Sequence, residues 1–363
     1  MTGVARTCYG RSLFLNRCLR DGALRSSPPA PMTALSRPTR SLAWRIAVAA
    51  ILLRLTYSVL VQAYTLLSPT PYVEQLRESY TQPPVLAPLL ANIVSTLLII
   101  GLAAWGATRH WLARHNAATV DQPGRLLGTF LALQALYTLC LTSGMAYAQH
   151  LLMESLIKEG SWLQTSLGLD VAGRFIAMNL GIRVVSVALE VLGICLALRI
   201  AAWTTTPAGP GAGTALTRRH AAWISGLTIL IWQSSVSIML GGYLQMQSLD
   251  AGWTQYALGY WVLPALLLAL ATFVCLKVLP RPLGRPGIGR AVGLGSLAFW
   301  IAQALGIGLG VAMLNSMSWN QIAWAAQSNA AAVLALVAYG MLLTLGCLAA
   351  TRLLHRAQGG QAT

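Results

Sequence analysis

Three ionisable residues lie well inside apolar stretches of this chain: Arg54, Arg183 and Glu190. Charge is costly to hold in lipid, so such residues are functional candidates by default. Around the second and third runs a polar stripe. At about 100° per residue, Asn179, Arg183, Ser186 and Glu190 fall within roughly 60° of one another, over ~16 Å at about 1.5 Å per residue. The first apolar segment offers Arg54, Tyr57, Ser58, Gln62 and Thr65 on a broader face. Measured from Arg45 and Arg199, Arg54 and Glu190 both sit ~13–14 Å deep. That depth predicts an Arg54–Glu190 ion pair if the first and fourth segments are neighbours. Arg183 is the rival partner, but it lies ~10 Å along the same helix from Glu190.

These groups allow two kinds of chemistry. They can pair to hold helices together, or they can line a polar cavity that receives a solute or relays protons. Two arginines against one glutamate leave a local positive charge, which suits an anion. Other chemistries lack their residues. There is no HExxH, GxSxG or P-loop, and one membrane carboxylate cannot build a magnesium-binding acidic cluster. His110, His115, His150, His220 and His355 lie at segment ends, in loops or in the tail, whereas haem needs axial histidines within helices. No CxxC occurs, so neither a zinc site nor a disulfide framework is indicated. No cofactor or metal is implied.

The elements that hold these residues must cross a membrane. Of 363 residues, 56% are hydrophobic and 9% charged, far below the roughly 25% charge of soluble chains. Eight apolar segments, near 43–67, 85–107, 126–151, 175–199, 221–246, 257–279, 290–314 and 327–353, each reach the ~20 residues of a spanning helix. The fold class is therefore an all-α polytopic transmembrane bundle whose first partner is the lipid bilayer. The fourth segment is marginal alone. Its thirteen Leu, Ile, Val and Phe between Phe175 and Leu198 return roughly 4–8 kcal/mol against roughly 5–7 for its two charges, so it needs neighbours in the bundle.

The +16 formal charge belongs to short loops rather than to a nucleic-acid patch, since basic residues with interleaved aromatics are lacking. Arg37, Arg40 and Arg45, then Arg109, Arg114 and Arg125, then Arg199, Arg218 and Arg219, then Lys277, Arg281, Arg285 and Arg290, and finally Arg352 and Arg356 flank alternate segment ends. The opposite loops hold Arg77, Lys158 and Arg174 among most of the acids. This alternation predicts cytoplasmic N- and C-termini. The Arg-rich, Lys-poor composition points to a bacterial cytoplasmic (inner) membrane, with the mitochondrial inner membrane as the alternative. Residues 1–41 are polar, Arg-rich and aperiodic, and are expected to be a disordered tail. They suit either a transit peptide or a mis-assigned start with Met32 as first residue, and the second is favoured because Met32 closely precedes the first apolar run. The 204–218 stretch has linker composition and is expected to be flexible. The 151–172 loop is expected to hold a surface helix, and 355–363 a polar tail. Trp253, Tyr256, Tyr260, Trp261, Trp319 and Trp324 read as interfacial anchors.

The segments further read as two four-helix repeats, 42–203 and 219–354. Ala43-Trp44, Ser58 and Tyr64 match Ala222-Trp223, Ser237 and Tyr243; Pro88 and Thr96 match Pro264 and Thr272; Gly124-Arg125 and Gly128 match Gly289-Arg290 and Gly293; Leu192-Gly193 and Arg199 match Leu345-Gly346 and Arg352. Four segments per repeat make the repeats parallel, an arrangement frequent in transporters. At the site positions the second half is neutral: Gln233 stands for Arg54, and Leu336 and Leu343 for Arg183 and Glu190. The candidate buried polar site is thus Arg54, Tyr57, Ser58, Asn179, Arg183, Ser186, Glu190 and Gln233. Gly306, Gly308 and Gly310 are expected at a close helix contact. The best functional reading is a permease-like binder of a small polar or anionic solute. The alternative is a non-catalytic accessory, assembly or sensor subunit, and a membrane enzyme has the least support.

Overall fold

A computed structural model of the chain describes residues 41–68, 73–157, 171–210, 216–245, 253–279 and 287–355. The tail before 41, the loop after Ile157, residues 211–215 of the linker and the residues after 355 lie outside the described residues.

Among the described residues, eight helices are long and apolar enough to span a membrane. They are α1 (Leu42–Leu67), α3 (Pro83–Arg114), α4 (Pro123–Ile157), α5 (Val171–Ala202), α6 (Arg218–Gln245), α7 (Trp253–Val278), α8 (Ile288–Ser316) and α10 (Asn329–His355). The chain is an all-α multi-pass membrane protein. Two shorter helices that hydropathy does not announce, α2 (Val73–Thr81) and α9 (Trp319–Gln327), lie between spans. Each has a local cause. Arg77 of α2 donates from Nε and Nη2 to the Leu66 carbonyl at 3.0 and 2.7 Å, satisfying a group left open at the end of α1. Ser318 and Gln321 form a capping box that starts α9. In α7, Leu258–Val262 is a π-helical turn. It ends two residues before Pro264, whose missing N–H and bulky ring disturb the preceding turn.

Burial is concentrated at the end of the bundle that carries the arginine-rich loops. In α1 the buried residues are Leu42, Ala43, Ile46, Ala47 and Ala50, all in its first turns. In α8 they run only from Ala291 to Ala302. The first core joins α1, α3, α4 and α5 through Ile46, Ile100, Phe130 and Ile194. The second joins α6, α7, α8 and α10 through Ile229, Cys275, Phe299 and Leu343. Trp105 packs against both. The halves meet where α6 packs on α3 and α5.

Three details differ from expectation. The 204–218 segment is not wholly flexible: Pro207–Pro210 forms a strand, β2, antiparallel to β1 (Ala117–Val120) in the preceding basic loop. Thr206 hydrogen-bonds the Asp121 carboxylate beside it, and Gly209 takes the positive φ of 75° that glycine tolerates. Gly308 and Gly310 face open space, where an added methyl group would meet no neighbour, and one at Gly306 would meet Leu342 alone; the close crossings are elsewhere. Tyr256, expected as an interfacial anchor, is buried against the protein and stacks on Tyr260.

Candidate functional site

The predicted residues separate into three groups. In the first, Arg54 Nη2 lies 2.9 Å from Glu190 Oε1. The Arg54 guanidinium sits 5.6 Å from the Tyr57 ring centre, within cation–π range. α1 packs chiefly on α3 and α4 rather than on α5, so the reach of the arginine side chain makes the contact. The pair is single-pronged, because Arg54 Nε is buried without a hydrogen-bond partner. Nearby, the Tyr137 hydroxyl of α4 donates to the Leu189 carbonyl at 2.6 Å, and its ring fills the space beside Gly193. Ser58 and Ser186 are partly buried, as is Asn179, which has a partner of its own.

Arg183 forms the second group and hydrogen-bonds hydroxyls of neighbouring helices rather than Glu190. Its Nε donates to Ser235 Oγ at 3.4 Å, its Nη1 to Thr96 Oγ1 at 3.4 Å and its Nη2 to Ser95 Oγ at 3.2 Å. Ser95, Thr96 and Ser235 are all buried. These bonds tie α5 to α3 and α6 at the junction of the halves. They are long, their acceptors are neutral, and they use three of the five N–H groups of a guanidinium. Among the described residues Arg183 has no carboxylate within ion-pair distance.

The third group lies in the second half, where Gln233 stands for Arg54. Gln303 Nε2 donates to the Tyr339 hydroxyl at 2.8 Å, Tyr339 donates to Gln233 Oε1 at 2.6 Å, and Gln233 Nε2 donates to Ser237 at 3.2 Å. This chain of bonds is neutral and joins α6, α8 and α10.

Arg183 borders a cleft of about 500 Å³ between α3, α5, α6 and α8. Ile99, Val187, Val191, Ile231, Trp232 and Ile288 give it a mainly apolar wall. The polar cavity expected from the stripe is therefore an apolar one with an arginine in it, and Arg54 and Glu190 do not line it. Of its hydroxyls, Thr228 donates to the Ile224 carbonyl at 2.8 Å, Ser296 accepts from Trp232 Nε1 at 3.0 Å and Ser235 accepts from Arg183. From Cys195 to Arg183 the cleft follows α5 for ~18 Å. At the Cys195 end it adjoins a second cavity of about 690 Å³, with which it shares Ala107, His110 and Cys195, and which Arg114, Arg199, His115 and Trp203 line. A smaller cavity of about 160 Å³ borders Ser95 and the π-turn residues Tyr260 and Trp261.

Ser95, Thr96 and Ser235 had little signal in the sequence. A single hydroxyl in an apolar helix ordinarily bonds back to its own turn, as Thr65, Thr108 and Thr344 do. Only the Thr96–Thr272 correspondence marked one of them. Among the described residues no cluster of three or more histidine, cysteine or acidic side chains could hold a metal. Comparison with family models, curated proteins and solved structures finds no match to this chain.

Proposed function

We propose that the chain is a permease-like protein of a bacterial cytoplasmic membrane that binds an anionic solute between its halves, with the arginine-rich face on the cytoplasmic side. The observation that carries this reading is Arg183. A guanidinium stays protonated in a protein, and among the described residues this one hydrogen-bonds neutral hydroxyls at 3.2–3.4 Å and no carboxylate while bordering a cavity. An anion would supply the charge it lacks. The basic residues Arg114 and Arg199 around the adjoining cavity would raise the local concentration of anions at the entrance.

Two parallel four-helix repeats agree with the packing. α1 packs on α3 as α6 does on α7, α4 on α5 as α8 on α10, and α3 on α5 as α7 on α10. The corresponding glycines Gly193 and Gly346 both lie at close crossings, against Tyr137 and against the Ala298 backbone. The halves are not joined symmetrically, however. α6 packs on α3 and α5, while among the described residues α1 makes no comparable packing on α7 and α10. One asymmetric cleft, with its charge from the first half, follows from that arrangement.

An accessory or sensor role is the second reading, favoured by one observation: the Arg183 bonds join three helices and could serve only as glue. Thermal unfolding of the purified chain against a panel of anions and neutral polar solutes separates the two. A ligand of the native state raises stability by mass action, about 2.7 kcal/mol at a hundred times its Kd. An anion that raises the midpoint of the wild type but not of Arg183→Gln supports solute binding; no anion-dependent rise supports the glue.

A further inference from the structure

The chemistry of the cleft narrows the class of anion. A small hydrated anion such as phosphate needs several donors to replace its water, and burying charge without them is strongly unfavourable. Beyond the Arg183 guanidinium the cleft offers few. Thr228 donates to its own helix, Ser296 and Ser235 accept from Trp232 and Arg183, His110 lies at the far end near Cys195, and the wall between along α5 is Val187 and Val191, facing Ile99, Ile231 and Trp232. A volume of about 500 Å³ falls within the roughly 300–1,000 Å³ of ordinary organic-ligand sites, which are mostly apolar with few polar groups fixing orientation.

Resting on the solute-binding reading above, we infer that the ligand is an amphipathic monoanion, a carboxylate on a single apolar chain. Its head pairs with Arg183 and its chain lies along Val187 and Val191 toward Cys195. A planar carboxylate matches the guanidinium fork, and the two N–H groups not used on Ser95, Thr96 and Ser235 are the ones it would take. The apolar chain displaces poorly held water from the wall, which favours binding. The ~18 Å of cleft beyond Arg183 accommodates a chain and would leave a small ion without contacts.

The experiment measures binding of radiolabelled decanoate to the full chain in lipid nanodiscs, with acetate, inorganic phosphate and decanol as competitors. Decanoate is expected to bind saturably and to be displaced by unlabelled decanoate but not by the other three. Arg183→Gln should weaken it by about tenfold to a hundredfold, the value of a charge-assisted hydrogen-bonded contact. Val191→Trp, which fills the cleft and leaves Arg183 in place, should abolish it and keeps the test informative if Arg183→Gln does not fold. Equal displacement by decanol, or binding unaffected by Val191→Trp, would show a lipid-like surface site and overturn the inference. No saturable decanoate binding, together with a rise in the unfolding midpoint by acetate or phosphate that Arg183→Gln removes, would overturn it while leaving the solute-binding reading intact. Absence of binding by every anion would overturn both.

Discussion

At the scale of residues, the two buried arginines have different partners and so different consequences. Arg54 has a carboxylate at 2.9 Å; Arg183 has three hydroxyls at 3.2–3.4 Å. Depth along the helices was enough to select Arg54 over Arg183 as the Glu190 partner, because both distances follow from about 1.5 Å of rise per residue. Where Arg183 would turn was not legible, since its partners are single hydroxyls on helices far away in the chain. Removing one member of a buried pair strands the other, at about 3–5 kcal/mol. Arg54→Leu and Glu190→Leu are therefore each expected to lower thermal stability strongly, and the double variant to recover much of the loss. Strictly additive losses in that double-mutant cycle would mean that the two charges do not interact.

At the scale of elements, helix existence was the most legible feature and helix contact the least. Eight apolar runs gave eight long helices, with ends extended into the flanking polar residues: the run near 85–107 became Pro83–Arg114. A run of hydropathy cannot show which face touches which neighbour. The three spaced glycines of α8 illustrate this: Gly308 and Gly310 lack close neighbours, while Gly295 meets the Ser225 backbone and Gly346 the Ala298 backbone. Backbone contacts cannot yield as a flexible side chain can, and overpacking costs typically about 1–3 kcal/mol. Gly346→Val is expected to lower the unfolding midpoint and the yield of folded protein, and Gly308→Val to leave both near the wild type. Equal sensitivity at the two positions would mean that the α8–α10 crossing lies elsewhere. The β1–β2 ribbon escaped sequence reading for a related reason. PAGP has no strand propensity, and its pairing with Ala117–Val120 arises because α3 and α5 end side by side.

At the scale of the whole molecule, the distribution of charge and the position of the core agree. The tightly packed end of the bundle is the end with Arg114, Arg125, Arg199, Arg218 and Arg290. The positive-inside rule predicts that this end faces the cytoplasm. A periplasm-active reporter fused after residue 165 should therefore be active, and one fused after residue 210 silent. The reverse pattern would invert the topology and put the Arg114 and Arg199 cavity on the outer face. Inside this frame Arg54 and Glu190 form an ion pair, and Arg183, bonded to α3 and α6 hydroxyls, is the residue proposed to meet an anion. The most direct test is thermal unfolding with and without the stabilising anion, compared between Arg183→Gln and the Arg54→Leu, Glu190→Leu double variant. The anion-dependent rise should persist in the double variant and vanish in Arg183→Gln. A rise that survives Arg183→Gln but disappears in the double variant would place the ligand on the Arg54–Glu190 pair and contradict the assignment.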